Sequence, residues 1–116
     1  MIRTELSLRL PNNAGALAGV SRLLNDARVH VLAMSLDAAG QLRLLVDNPV
    51  HGAGVLRARR HVVSERDVLV VETAAGPGAL QLMADAGINL NYCYGAATGL
   101  VLGVEDALRA SAAAGI

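Results

Sequence analysis

The sequence predicts an α+β protein: a βαββαβ unit repeated twice, its antiparallel sheet carrying helices on one face, with the second copy lacking its last strand. Three observations predict it. The apolar period switches along the chain between two residues and about 3.6. The resulting order is strand, helix, strand, strand, helix, strand, and then begins again. Short strings of the first half recur at matching places in the second.

The first copy reads as follows. In residues 4–10, Leu6, Leu8 and Leu10 point one way and Glu5, Ser7 and Arg9 the other, the alternation of a half-buried strand. Pro11 ends it, and Asn12, Asn13, Ala14 and Gly15 form a loop. Leu17, Val20, Leu23, Leu24 and Ala27 then recur at helical spacing. Residues 29–36 and 42–46 are strands joined by a turn over 37–40. Asn48 followed by Pro49 is a helix start, with Asn48 as cap. The helix over 50–59 is weakened by Gly52 and Gly54, each costing about 1 kcal/mol against alanine. Residues 61–72 read as two strands joined near Asp67.

In the second copy, residues 68–73 are a strand and 74–78 a glycine loop. A short helix follows over 79–86, then a strand over 88–94, a turn over 95–98, a strand over 100–104 and a helix over 107–114. Gly15-Ala16-Leu17 matches Gly78-Ala79-Leu80, Val29-His30-Val31 matches Ile88-Asn89-Leu90, and Val46-Asp47-Asn48 matches Val104-Glu105-Asp106. From Gly15 to Val29 is 14 positions (29 − 15) and from Gly78 to Ile88 is 10 (88 − 78), so the second helix is expected to be about one turn shorter. The sequence ends at Gly115-Ile116, where a fourth strand is expected to begin. Residues 1–67 and 68–116 are the expected domains. Leu32, Met34 and Leu45, and in the second copy Val68 and Val70, lie opposite the helix-facing sets, so a second chain is expected to cover that face or the open edge.

Composition narrows the function. The chain has 116 residues, is 53% hydrophobic, and balances ten arginines against ten acids with no lysine, a bias read as codon usage. Zero net charge removes the electrostatic footprint of a nucleic-acid binder, and two tyrosines give no stacking platform. The single Cys93 excludes an internal disulfide, and His30, His51 and His61 have no metal-ligand spacing, so neither metal nor cofactor is expected. No signal segment is visible at the N-terminus. The charge-free run 86–104 carries asparagines and glycines unsuited to a bilayer, so a cytoplasmic protein without membrane association is expected.

Two such units, each with a glycine at the first strand-to-helix junction, resemble tandem ACT domains, small regulatory modules that bind amino acids. The family's junction reads Asn-x-Pro-Gly-x-Leu and a later segment Gly-Ile-Asn-Ile. The first copy has Asn12-Asn13-Ala14-Gly15-Ala16-Leu17, with Ala14 for proline. The second has Ala75-Gly76-Pro77-Gly78-Ala79-Leu80, with Ala75 for asparagine, and nearly keeps the later segment as Gly87-Ile88-Asn89-Leu90. The first copy's equivalent is Arg28-Val29-His30-Val31.

A loop ending at a helix N-terminus offers unpaired N–H groups and the positive end of the helix dipole, which favours a carboxylate. An asparagine amide engages both the ammonium and the carboxylate of an amino acid. The resemblance implies a ligand clasped between two domains. One pairing joins Asn12, Asn13, Ala14, Gly15 and Leu17 with Asn89 and Asn91. A second, degraded site joins Gly76, Pro77 and Gly78 with His30.

Plainer readings stand beside these. Asn12 or Asn13 caps the first helix instead of touching a ligand. The glycines serve turns, Asn89 satisfies nearby backbone, and His30 is an ordinary half-buried histidine. Tyr92 and Tyr94 share a face with Ile88 and Leu90 as core or interface. Arg57, Arg59 and Arg60 with His51 and His61 form a solvated face.

Asp37, Asp47, Glu65, Asp67, Glu72 and Asp106 lie on turns, helix starts and outer strand faces, so no catalytic residues are expected. The expected function is a non-catalytic module, a homodimer, that binds an amino acid or similar small carboxylate and acts allosterically on a separate enzyme or transporter. The alternatives are a structural adaptor with vestigial sites, and a small ferredoxin-like enzyme using His30 or Tyr92.

Overall fold

A computed structural model describes residues 1–97 and 99–116 of the chain. Among them the order is β1 (Ile2–Arg9), α1 (Ala16–Asp26), β2 (Val31–Leu36), β3 (Gln41–Val46), α2 (Pro49–Ala58), β4 (Ser64–Glu72), a 3-10 turn (Thr73–Ala75) in place of the expected glycine loop, α3 (Gly76–Asp85), β5 (Tyr92–Gly95), β6 (Gly99–Gly103) and α4 (Ala107–Ala114). The chain forms two compact units, Glu5–Arg66, and Asp67–Ile116 together with Met1–Thr4.

In the unit Glu5–Arg66 the strand order is β2-β3-β1-β4, with β4 contributing only residues 64–66. β1 and β3 are antiparallel, with Leu6 opposite Leu44 and Leu8 opposite Leu42. These four leucines are almost wholly buried, in one cluster with Val20 and Leu24 of α1 and Ala53 and Leu56 of α2. Both helices therefore cover the same face. Burying each such leucine contributes about 1.5–3 kcal/mol. Gly52 has its use here: a Cβ on it would lie 3.2 Å from Val46 and 3.4 Å from Leu6 and Val29. The residue that weakens α2 as a helix lets it approach the sheet.

In the other unit the order is β1-β4-β6-β5, with β1 contributing residues 2–4. Leu69 opposes Leu102 and Val71 opposes Leu100. Leu69, Val71, Leu102 and Val104 are buried against Ala79 and Met83 of α3 and Ala107, Ala110 and Ala114 of α4, with Ile2 packed alongside. Met1 and Val70 exchange both backbone hydrogen bonds, at 3.1 and 2.8 Å, the mark of an antiparallel pair. Met1–Thr4 thus belong to this unit and flank β4 on the side away from β6.

Matching residues of the two units use matching local devices. α1 closes with Arg28 N–H on Asn25 O (3.0 Å) and Val29 N–H on Leu24 O (2.9 Å); α3 closes with Gly87 N–H on Ala84 O (3.0 Å) and Ile88 N–H on Met83 O (2.9 Å). Arg28 and Gly87 are both left-handed, at φ 60° and 71°. α2 starts at Asn48, whose side chain accepts from His51 N–H, and α4 at Asp106, whose side chain accepts from Arg109 N–H.

Several boundaries differ from expectation. Ser64–Glu72 is one strand with no break at Asp67, because a charged residue interrupts the apolar run without interrupting backbone pairing. α3 begins at Gly76 and has 10 residues against 11 for α1, so no turn has been removed. Gly76, Pro77 and Gly78 sit inside its first turn, where proline's missing N–H goes unmissed. The Thr98 end of the turn expected at 95–98 lies outside the described residues.

Side-chain faces differ too. Glu5, expected on an open face, is 0% exposed, and among the described residues no buried side-chain nitrogen or oxygen lacks a hydrogen-bond partner. Met34 pairs with Leu44 and so shares the helix-facing side, because the register shifts between Val31 and Ala33. Tyr92 and Tyr94 pair with Gly103 and Val101, opposite the helix-packed Ile88. The Tyr92 ring lies over Gly103, where a Cβ would come within 2.3 Å of it, and stacks with Tyr94 at 6.3 Å.

Replacing Arg28 by glycine removes a left-handed side-chain penalty and is expected to stabilise the protein by about 1 kcal/mol, read as a higher urea midpoint. Gly87→Arg is expected to shift it oppositely. Gly103→Ala is expected to lift the Tyr92 ring from the sheet, visible as altered tyrosine near-ultraviolet dichroism, since the chain has no tryptophan.

Candidate functional site

The β1–α1 loop and the β2–β3 turn enclose a hollow of about 270 Å³ lined by Asn12, Asn13, Ala16, Leu17 and Asp37, among others. They meet because β1 and β2, both antiparallel to β3, finish at the same end of the sheet. Gly15 is the N-cap of α1 and no side chain caps that helix. Asn13 Oδ1 accepts from Gly15 N–H at 3.2 Å, closing the loop on itself. The Asn12 side chain has no partner among the described residues. Of the two asparagines, one is spent on loop geometry and the other remains available. Ala14 and Gly15 are exposed and do not line the hollow. A Cβ on Gly15 would meet only Asn13 Oδ1, at 4.0 Å, so the fold itself makes no demand for glycine there.

Asp37 was not singled out from the sequence, although strand order places the 37–40 turn beside the β1–α1 loop. Its Oδ1 accepts from Ala39 and Gln41 N–H, both at 3.0 Å, and its Oδ2 lies 3.8 Å from Arg43. A carboxylate is therefore held rigidly across the hollow from a helix start. The arrangement offers donors to a carboxylate and an acceptor to an ammonium group.

In the other unit Asn89 and Asn91 line a separate hollow of about 260 Å³ with Gly87, Glu105, Asp106 and Arg109. Asn91 is engaged: its N–H donates to Gly103 O at 2.8 Å and its amide to Glu105 at 3.4 Å. The exposed Asn89 side chain has no partner among the described residues. Arg109, also missed, donates to Ala86 O at 3.1 Å. A C-terminal helix arginine gives no linear signal that it returns to the end of α3.

The residues of the second expected site divide between the units. Gly76 is buried, with a Cβ there 3.0 Å from Leu100, while Pro77 and Gly78 are exposed in the first turn of α3, which also lacks a side-chain cap. His30 exchanges two hydrogen bonds with Asp47, its N–H donating to Oδ1 and its carbonyl accepting from the Asp47 N–H, both at 3.0 Å. Its side chain is exposed. Among the described residues no group of three or more His, Cys, Asp or Glu could hold a metal, and no helix is long and apolar enough to cross a membrane.

Because Asn12 bears no structural hydrogen bond, Asn12→Ala is expected to leave unliganded stability within about 0.5 kcal/mol. Asn48→Ala, which removes the α2 cap, is expected to cost about 1 kcal/mol. Urea unfolding of both variants checks the contrast.

No family model and no curated protein sequence matches the chain. Solved structures match its fold. A Bacteroides thetaiotaomicron protein superposes with TM-score 0.86 at 21% identity over 97% of this chain and 86% of its own. The ligand-free regulatory subunit of aspartate kinase from Thermus thermophilus gives TM-score 0.65 at 16% identity over 99% and 94%. Aspartokinase III of E. coli, in complex with lysine and aspartate, gives 0.56 at 20% identity, with 94% of this chain matching 30% of that one. At such identities the likeness is one of architecture, and the architecture is ACT-like, that of aspartate kinase regulatory subunits.

Proposed function

We propose that this chain is a pair of tandem ACT-like modules forming a non-catalytic regulatory protein that binds an amino acid and acts allosterically on an enzyme or transporter. The observation that carries the reading is the hollow at the start of α1. An uncapped helix N-terminus, a free Asn12 amide and a fixed Asp37 carboxylate converge on about 270 Å³. That is slightly below the drug-sized range of about 300–1,000 Å³, which suits a small zwitterion. The α-carboxylate takes the N–H groups of the first turn, the ammonium group lies toward Asp37, and Leu17 meets the side chain. α2 and α4 support the contrast, since both fill their own starts with Asn48 and Asp106.

Asn89, whose side chain likewise has no partner among the described residues, closes the site from a neighbouring copy in a homodimer, with Asn91 held beside it. β2 supports assembly: an edge strand, it exposes Leu32, Met34 and Leu36 at 43%, 41% and 45%. The α3 start, with Gly76, Pro77, Gly78 and a His30, is the poorer site because it lacks the loop asparagine. A ligand that favours one arrangement of modules over another couples the site to the regulated partner. The similar E. coli enzyme's complex with lysine and aspartate makes these the first ligands to test.

A thermal-shift screen of the twenty amino acids tests the reading. At 100 times its dissociation constant, the right ligand adds about 2.7 kcal/mol, a rise of several degrees. Asn12→Ala and Asn89→Ala are each expected to remove the rise. A melting temperature that no amino acid moves would reject the proposal.

A further inference from the structure

Independently of the amino-acid site, we infer that the chain carries an oxyanion site for the phosphoryl group of a small phosphorylated molecule, in a hollow between the end of β1 and the α2–β4 connection. The hollow measures about 570 Å³ and is lined by Arg9, Arg60 and His61 with Ser7, Gln41 and Ser64. No acid lines it. In a chain of ten arginines and ten acids, this local excess stands out.

Two nearby arginines are paired elsewhere. Arg57 is bound to Glu65 at 3.1 Å, and Arg43 lies 3.8 Å from Asp37. Arg9 donates only to a neutral carbonyl, Ala39 O, at 2.7 Å. The side chains of Arg60, His61 and Gln41 have no partner among the described residues. Two arginines, a histidine, a glutamine and two serines thus border one space without a carboxylate. Guanidinium groups in particular match the tetrahedral oxygens of a phosphoryl group. The hollow exceeds an inorganic ion, and Leu8, Leu10 and Val62 give it an apolar wall for an organic remainder.

Arg60 carries a second, backbone signal. It is left-handed, at φ 66°, after the last turn of α2, with its N–H on Arg57 O at 2.9 Å. The same position after α4 is Gly115, at φ 74°. Glycine adopts that conformation without penalty, so arginine is the costlier choice, and at Arg60 its side chain opens on the hollow.

This gives a test in which the variant folds better than the parent. Arg60→Gly is expected to raise the urea midpoint and to weaken phosphate binding about tenfold or more, as is Arg9→Gln for binding alone. Calorimetric titration at constant ionic strength would use inorganic phosphate, a sugar phosphate and AMP, with sodium chloride as control. The expected result is binding of all three, tighter for the esters, and unchanged in Asn12→Ala. Equal binding to the parent and Arg60→Gly, no heat beyond the chloride control, or loss of binding in Asn12→Ala would each overturn the assignment.

Discussion

Backbone pairing between the first residues of the chain and β4 is the constraint on which the second unit depends. Residues 67–116 supply two helices and three strands, and the flank of β4 opposite β6 would otherwise offer unpaired N–H and C=O groups. Met1 and Val70, separated by 69 positions, close that flank, and Ile2 adds to the apolar cluster beneath α3 and α4. β1 and β4 each contribute residues to both units, so neither unit is a continuous stretch of sequence.

Given complete units, the site follows from helix ends. α2 and α4 satisfy their first-turn donors with Asn48 and Asp106. α1 and α3 have no side-chain cap: α1 follows the β1–α1 loop with Gly15 as its N-cap, and α3 runs on from a 3-10 turn over Thr73–Ala75, with the Gly76 N–H on Thr73 O. Orphan donors at a helix start want an anion, and at α1 the hairpin turn brings Asp37 opposite, so the hollow fits a zwitterion better than a simple anion. The hollow beside Arg60 has the opposite character: cations and neutral donors without an acid. The two hollows thus differ in the chemistry of their linings within one unit of about sixty residues.

Strand and helix assignment was largely legible because alternation and helical spacing are local properties. So was the cap at Asn48, where a short polar side chain and a proline open an apolar helical run. The β1–α1 loop asparagines were legible as the residues that lead into α1, but their division of labour was not. Only coordinates distinguish Asn13, bonded to Gly15 N–H, from Asn12, which is free. Asp37 and Arg109 were missed because each reaches its hollow through strand order or a helix returning over the sheet.

The sequence alone determined most of the succession of elements and the helix-facing leucines of β1 and β3, since each rests on periodicity within a few residues. Tertiary structure decided which segment completes each unit, that Glu5 is buried and that Tyr92 lies over Gly103. The reason is physical: alternation fixes the face on which a side chain lies, whereas what covers that face is chosen by residues distant in the chain.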